Sequence, residues 1–387
     1  MDQELLQRGV VEIIGKEDLI GDLSAGKKLR IKYGIDPTTE ALHLGYAVAL
    51  RKLLAFQKQG HTIIFLIGDF TGRIGDPTGE LKARKLRRKE EVSQLAKGYL
   101  AKAGKILDLG KTEVRYNSKW YDKMNLDQYL RLKAHFTVSQ LLEREMFQKR
   151  MKENQEIGSQ EIDYPILQAY DSVVLKSDLA LCGHDQLFNE MQARKIQPHF
   201  GQRPQAILTV PLLPGLDGKR KMSQSLGNYI AIDEPPEEMF GKIMSIPDQL
   251  LPCWFELCTD VDMDGVQKDF KAGKDLRGLK ARLALEIVTI YHGRERALEA
   301  EEEFNRVFRE KELPQKLKSL KLKDKSYRLD QLLVKTLLAP SLSEARRLIG
   351  QGGVKIDGEK VQVVGEIGLH EGMVIQVGKR RFMKIKI

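Results

Sequence analysis

Residues 28–68 constrain the fold more than any other part of this chain. "KLRIKYGI" (28–35) has the length and apolar content of a strand, and it runs into the turn residues Asp36, Pro37 and Thr38. Helical periodicity follows from His43 to about Gln59, Gly60 stops it, and "HTIIFLIG" (61–68) is a second, continuously apolar strand. A strand apolar throughout is covered on both faces, so strand, helix and strand close as a right-handed βαβ unit of a parallel sheet. "QAILTV" (205–210) reads as a later strand of the same sheet. The fold class is therefore α/β.

A helix that opens where a parallel strand ends points unpaired N–H groups and a partial positive charge at the crevice above the sheet, where nucleotide phosphates bind. Thr38 and His43 can donate hydrogen bonds to a phosphate, Gly45 admits a ligand close to the backbone, and Asp36 can hold an ammonium or a ribose hydroxyl. A histidine at a helix start also serves as a plain cap, and this segment alone leaves both readings open. A second stretch, "GLDGKRKMSQSLGN" (215–228), is a glycine-rich basic loop just after a strand. Alone it reads as a solvated turn. Together with the His43 helix start it reads as a mobile clamp, with Lys221, Ser223 and Ser225 closing over a triphosphate.

Between these strands, about 85–160 is largely helical and reads as an insertion between two halves of the sheet. Its segment "VSQLLEREMFQKRMKE" (138–153) fits a dimer face and a core helix equally well. Residues from about 235 to 311 are helical, and "LKSLKLKDKS" (317–326) is a charged linker. The last 60 or so residues form a small module. Ser343 can cap a short helix there, Asp357-Gly358 turns the hairpin "VKIDGEKV", and "MVIQVGKRRFMKIKI" supplies two more strands. Gln315 to Ile387 holds 16 Lys and Arg against 7 Asp and Glu, which is nine of the chain's ten net positive charges. A near-neutral body with a basic tail points to a polyanionic partner, nucleic acid before a solubilising surface.

No apolar run reaches membrane-spanning length, and the polar, acidic start is not a secretory signal. Three cysteines (Cys182, Cys253, Cys258) are too few for a disulfide framework and lack zinc-site spacing, so reduced thiols and a cytoplasmic location are expected.

At this point "HLGY" and "KMSQS" resemble the two signatures of class I aminoacyl-tRNA synthetases. "GIDPTTEALHLGY", "IGDFTGRIGDPTG", "YPILQAYDSV", "GHDQLFN" and "LDGKRKMSQSLGNYI" together are similar to the bacterial tyrosyl-tRNA synthetases over essentially the whole chain. "YRLDQLLVKTLLAPSLSEARRLIGQGGVKIDG" resembles the small RNA-binding domain of a ribosomal small-subunit protein, which many of these enzymes append. The resemblance implies a Rossmann-like catalytic domain over 1–230, a helical anticodon-binding domain over 231–316 and an RNA-binding domain over 327–387. It implies tyrosine, ATP, accompanying Mg2+ and tRNA(Tyr) as reactants and partners, and a homodimer. No protein cage for a metal is visible in the sequence.

Carried over position by position, Thr38 and His43 look like the pair on the γ-phosphate of ATP, and Lys221 like the first lysine of the mobile loop. Lys82 and Arg84, from "KARKLRRK", join them in stabilising the departing pyrophosphate; Arg87 to Lys89 read better as a solvated face. Asp36, Gly45, Gly183, Asp185, Gln186, Ser223, Gln224 and Ser225 resemble positions lining the nucleotide and adenylate. Asp76, Tyr164 and Gln168 resemble partners of the amino-acid ammonium, and Asp171 the acceptor for a phenolic hydroxyl. Tyr164, Gln168 and Asp171, spaced by four and three, share one helical face, with Pro165 expected to start the turn; the spacing fits a solvent-facing stripe as well as a pocket lining. Arg328, Arg346, Arg347 and Lys355 are the candidates for RNA.

Three positions depart from the family's pattern. Tyr46 replaces the second signature histidine, Gln224 replaces the second loop lysine, and Lys32 stands where many of these enzymes place a tyrosine. Tyr33 is one residue away and, on a strand, faces the opposite side. A slower activation step is the expectation. Rival readings are a tryptophanyl enzyme, an RNA-binding protein that kept the fold without the chemistry, and a generic nucleotidyltransferase.

Overall fold

The computed structural model describes residues 5–37, 41–77, 86–273, 275–308, 317, 319–322, 324–378 and 381–387. Thr38, Lys82 and Arg84 lie outside the described residues. The chain divides into two compact units, 1–298 and 299–387.

The first unit is built on a six-stranded sheet of β1 (Glu12–Ile14), β2 (Arg30–Ile35), β3 (Thr62–Ile67), β4 (Thr112–Tyr116), β5 (Leu179–Gly183) and β6 (Ala206–Val210), in the order β1-β6-β5-β2-β3-β4. Strands β2 to β6 run parallel, and β1 pairs antiparallel with β6. Ile31, Ile63, Ile64, Phe65, Leu179, Ala180, Ile207 and Leu208 are fully buried, as a sheet covered on both faces requires. Helix α1 (Leu44–Lys58) connects β2 to β3. Short helix α2 (Thr71–Ile74) follows β3, and α3 (Ser159–Leu175) and α4 (Leu187–Ile196) pack together through Ile166, Ala169, Val173, Ala193 and Ile196.

The insertion expected over 85–160 is shorter than that. Its first half returns to the sheet as β4, paired with β3 from Ile63↔Thr112 to Ile67↔Tyr116. The part without a sheet strand holds helices Ser118–Tyr121, Leu126–Lys133, Val138–Leu142 and Glu145–Lys152. It is pinned to α3 by a bidentate ion pair, Arg150 to Glu161 at 2.9 Å on both arms, with both side chains fully buried. Removing either partner would strand a buried charge. Pro165 does not start α3; the helix begins six residues earlier and carries the proline in its second turn.

Helices from Pro236 to His292 belong to the same compact unit as the sheet, so the boundary expected at 230/231 does not divide compact units. The Arg8 guanidinium, for example, donates to the carbonyls of Phe255, Glu256, Thr259 and Val261 around the end of helix Leu251–Cys258.

The second unit carries a five-stranded sheet ordered β10-β9-β12-β13-β7 and a separate pair, β11-β8. Its strands are β7 (Ser319–Lys321), β8 (Ser326–Arg328), β9 (Val354–Ile356), β10 (Glu359–Val361), β11 (Glu366–Gly368), β12 (Val374–Val377) and β13 (Arg381–Lys386). The stretch expected as a linker therefore supplies β7. Asp357 and Gly358 both have positive φ, 49° and 90°, the signature of the tight turn that joins β9 to β10. Helix Leu342–Gly350 is capped by Ser341, whose hydroxyl accepts from Glu344 N, and not by Ser343. Leu329, Leu332, Leu333, Ile349, Val354, Ile375 and Ile385 form its fully buried core.

Candidate active site

The chain lays down β2, β3 and β4 on one side, then returns to place β5 and β6 on the other side of β2. That reversal, between β2 and β5, is where an open parallel sheet makes its ligand crevice. The two strands pair only at Ile31↔Leu179 and Lys32↔Ala180. By contrast β2 pairs with β3 through Ile35↔Ile67, and β5 with β6 through Gly183↔Val210. Beyond Lys32 and Ala180 the strands part, and Asp36 and Asp185 stand at the two lips.

His43 caps α1, its Nδ1 accepting from Gly45 N at 3.2 Å. Burial, with Lys221 nearby, lowers the ring pKa to about 4, so it is neutral at physiological pH. With Nδ1 used as an acceptor, the single ring proton sits on Nε2, leaving an N–H donor. A Cβ at position 45 would meet the His43 ring at 3.0 Å, which accounts for glycine there. Tyr46, in place of a second histidine, stacks its ring on His43 with centroids 4.5 Å apart and presents an edge to Tyr99. From the glycine-rich loop, Lys221 Nζ pairs with Asp185 at 2.8 Å, Gln224 Oε1 accepts from Ala41 N at 3.1 Å, and the Ser223 and Ser225 hydroxyls are 2.9 Å apart.

Asp171 on α3 is buried. Its Oδ1 accepts from Tyr121 at 2.7 Å and Trp120 Nε1 at 3.0 Å, and Oδ2 accepts from Asn117 Nδ2 at 3.3 Å. Asn117 also donates to Thr71 Oγ1 at 2.9 Å, Thr71 donates to Asp36 Oδ1 at 2.7 Å, and Tyr164 donates to Asp36 Oδ2 at 2.9 Å. A continuous hydrogen-bonded chain thus joins Asp171 to Asp36 and Tyr164. Gly68 lets it form, because a Cβ there would run into both Asp36 Oδ1 and Thr71 Oγ1.

A second chain runs alongside. Arg144 pairs with Asp76 Oδ1 at 3.2 Å, and Gln186 donates to Asp76 Oδ2 at 2.5 Å. Asn189 donates to Gln186 and Gln168, and Gln168 donates to Glu190 at 2.8 Å. Glu190 is shared with Gln205 and with Lys32, whose buried ammonium is 2.9 Å from Glu190 and 2.6 Å from Ser172. Lys32 is thus a neutralised structural cation on the α3–α4 side of β2. Tyr33, on the other side, packs its ring against Phe65, as strand alternation requires.

The electrostatics favour an incoming cation. Burial raises the Asp36 pKa to about 7; the bonds from Thr71 and Tyr164 oppose this, and Asp76 and Asp171 add to it. Burial likewise lifts Asp171 to about 7 against Lys32 and its three donors. Carboxylates that suppress one another's ionisation gain most from an ammonium placed among them. Among the described residues no group of three or more His, Cys, Asp or Glu could hold a metal ion.

Asp36, Tyr164 and Asp171 are therefore linked in one chain and Asp76, Gln168 and Gln186 in the other, and Asp185, next to Gln186, holds Lys221. Thr71, Asn117, Trp120, Tyr121, Arg144 and Glu190 were not anticipated from the sequence. In the second unit, burial pushes the Asp330 carboxyl up, but hydrogen bonds from Arg346 (2.7 Å) and Arg328 (2.9 Å) win and hold it below its usual range. Arg347 is engaged by Glu344. Three of the four expected RNA-binding residues are thus braced by acids of their own module, with guanidiniums about half exposed.

Residues 24–309 match the family described as tRNA synthetases class I (W and Y), and residues 328–368 match the S4 domain. A tyrosine–tRNA ligase of Moorella thermoacetica is 46% identical over 98% of this chain and 94% of its own length. One of Thermotoga maritima is 45% identical over 99% and 96%. Among solved structures, tyrosyl-tRNA synthetase of Archaeoglobus fulgidus complexed with L-tyrosine superposes with a TM-score of 0.62 at 24% identity, covering 77% of this chain and 98% of that one. At that identity the likeness speaks for the fold.

Proposed function

The chain belongs to the class I tRNA synthetases of the tryptophanyl and tyrosyl kind, and from that premise we propose that it activates L-tyrosine with ATP and transfers it to the 3′ end of tRNA(Tyr). The observation that carries the choice of tyrosine is Asp171, a buried carboxylate oriented by three donors with acceptor capacity left on Oδ2. A phenolic hydroxyl is the group that fits it.

In the first step the tyrosine carboxylate oxygen bonds to the α-phosphorus of ATP, and the bond to pyrophosphate breaks. The carboxylate is already a nucleophile, so no side chain acts as general base. The rate comes from positioning and from charge stabilisation on the departing pyrophosphate. His43 through Nε2–H and Lys221 serve there, with Thr38, Lys82 and Arg84 assigned to the same task by resemblance. Asp76, Tyr164 and Gln168 take the tyrosine ammonium, which displaces Arg144 from Asp76. Gly183, Asp185 and Gln186 take the ribose side, which frees Lys221 from Asp185 for the phosphates. Asp36 and Gly45 line the floor, and Ser223, Gln224 and Ser225 the lid. Mg2+ is taken to arrive on the triphosphate and to neutralise its charge; no protein ligand is assigned to it. In the second step the terminal ribose hydroxyl of tRNA attacks the tyrosyl carbonyl and AMP leaves.

The half-exposed Arg328, Arg346 and Arg347, with Lys355, are proposed to hold tRNA away from its acceptor end, and residues 231–316 its anticodon. A homodimer is proposed through the insertion, which leaves Leu126, Leu130 and Val138 exposed. The cytoplasm is the proposed location, in keeping with three free thiols and with the absence, among the described residues, of a helix long and apolar enough to cross a membrane.

Exchange of labelled pyrophosphate into ATP tests the proposal: it is expected to require tyrosine and to be absent with tryptophan or phenylalanine. Because β7 pairs with β13, a cut after Lys323 would split the tail sheet. A chain ending at Phe308 removes that sheet whole, and is expected to keep exchange and lose most tRNA charging. Equal loss of both contradicts the tail's role.

A pH profile gives an independent check. Asp36 and Asp171, raised to about 7 from the usual carboxyl range, are mostly protonated at pH 6 in the free protein. Asp171 must be ionised to accept the phenol proton, and an ionised Asp36 keeps the Tyr164 hydroxyl turned to it, leaving that oxygen's lone pair for the ammonium. The kcat/KM for tyrosine is therefore expected to rise about tenfold from pH 6 to 8 for one such group, with an apparent pKa shared by the pair. His43 stays neutral across that range and adds nothing. A flat profile would count against the carboxylate cluster as the tyrosine site.

A further inference from the structure

We propose that Gln224 is a positioning residue that latches the glycine-rich loop over the crevice before ATP binds. Two side chains near the loop tip reach across to the walls. Lys221 reaches Asp185 at 2.8 Å on the β5 side, and Gln224 Oε1 takes the N–H of Ala41 at 3.1 Å on the side leading into α1. The loop's backbone is also tied to the segment before it, Met222 N donating to Leu213 O at 2.8 Å, and its remaining bonds include two further kinds. Some are internal and travel with it: Asn228 Oδ1 accepts from Ser223 N at 2.9 Å, and Asn228 Nδ2 donates to Asp217 and to the Lys221 carbonyl, both at 3.2 Å. Others anchor its base, where Leu44 N donates to Ile230 O and Ile232 N to Leu42 O, both at 3.0 Å. The side-chain strap over the crevice is therefore Lys221 on one side and Gln224 on the other, with Met222 buried between them beside Gly45.

The two ties differ in what a nucleotide does to them. Lys221 and Asp185 each have a better partner in a triphosphate and a ribose, so their pair dissolves on binding. The Gln224 bond to a backbone N–H has no such competitor and persists. A lysine at 224 could not make it, because an ammonium has three donors and no acceptor. The exchange of a lysine for glutamine removes one cation from the phosphates and supplies an acceptor that holds the loop closed, keeping Lys221 in place. The nucleotide's identity rests on the proposed function; the latch is a property of the free protein.

The experiment is limited trypsin cleavage of the full-length protein without nucleotide, read by the masses of fragments cut after Lys219, Arg220 or Lys221, all exposed in the loop. Cleavage needs the loop to undock. Gln224→Met keeps the side-chain length and loses the acceptor, and is expected to be cut roughly fivefold faster, the worth of one neutral hydrogen bond. Gln224→Glu retains an acceptor and is expected to be cut at the wild-type rate. In pyrophosphate exchange, Gln224→Met is expected to lower kcat several-fold with the KM for tyrosine unchanged, a split that general destabilisation would not produce. Wild-type cleavage of Gln224→Met, or equal acceleration in Gln224→Glu, overturns the latch. A chain with no exchange at all would refute the proposed function, while the nucleotide-free cleavage rates would still decide the latch.

Discussion

His43→Asn is expected to lower kcat for tyrosine-dependent adenylate formation by about a hundredfold to a thousandfold while leaving thermal stability nearly unchanged. The substitution separates two roles of one side chain. As a cap, His43 accepts from Gly45 N through Nδ1, and asparagine is among the best residues for that position. As a donor, it has Nε2–H to offer, neutral because burial lowers its pKa to about 4, and on the proposed reading that donor serves the phosphates. Asparagine is too short to reach the same point, so the departing pyrophosphate loses a donor that was already in place and already desolvated. The KM for tyrosine is expected to stay close to wild type, since no bond of His43 enters the Asp171 or Asp76 chains. A kcat within threefold of wild type, in a variant that melts normally, would show that the phosphates lie elsewhere.

Asp171→Asn is expected to lower kcat/KM for tyrosine by about a hundredfold and to narrow the preference for tyrosine over phenylalanine. The amide can still accept from Trp120 and Tyr121 with its oxygen. Its NH2 then faces the NH2 of Asn117, 3.3 Å from the present Oδ2, and meets the phenol hydroxyl with a donor where an acceptor stood. Phenylalanine gains by comparison, because it no longer leaves a buried carboxylate bare; tyrosyl enzymes are themselves the standard case of such rejection. Steady-state kinetics with both amino acids check this. An unchanged ratio would mean that Asp171 braces Tyr121 and Trp120 without touching substrate.

The βαβ unit was legible because β3 is apolar without interruption and α1 has clean punctuation at His43 and Gly60. β4 was not: "TEVRY" is an edge strand, mixes polar with apolar residues, and lies in a stretch of helices. β1, at three residues, is too short for any periodicity. That Tyr164, Gln168 and Asp171 share a face was readable from spacing; that the face is turned inward and not to solvent, and what orients it, was not. Asn117 and Trp120 reach Asp171 across more than fifty residues, and Glu190 reaches Lys32 across 158. Lys32 read as a departure because many enzymes of the family have a tyrosine there, and its counter-charge, Glu190 on α4, lies too far along the chain for spacing to reveal it. Serine capping at 341 and not 343 is the ordinary error of a residue or two at a helix end.

The short pairing of β2 with β5 has a mechanical consequence. The sheet amounts to two stiff leaves, β1-β6-β5 and β2-β3-β4, sewn together at Ile31↔Leu179 and Lys32↔Ala180. Bending concentrates at that seam, since every other neighbouring pair carries a longer ladder. On the proposed reading, an adenylate lies across the gap with its phenol on one leaf's side and its ribose on the other's, and is expected to act as a splint. Its occupancy stiffens the whole domain and adds to its resistance to unfolding in proportion to how tightly it is held.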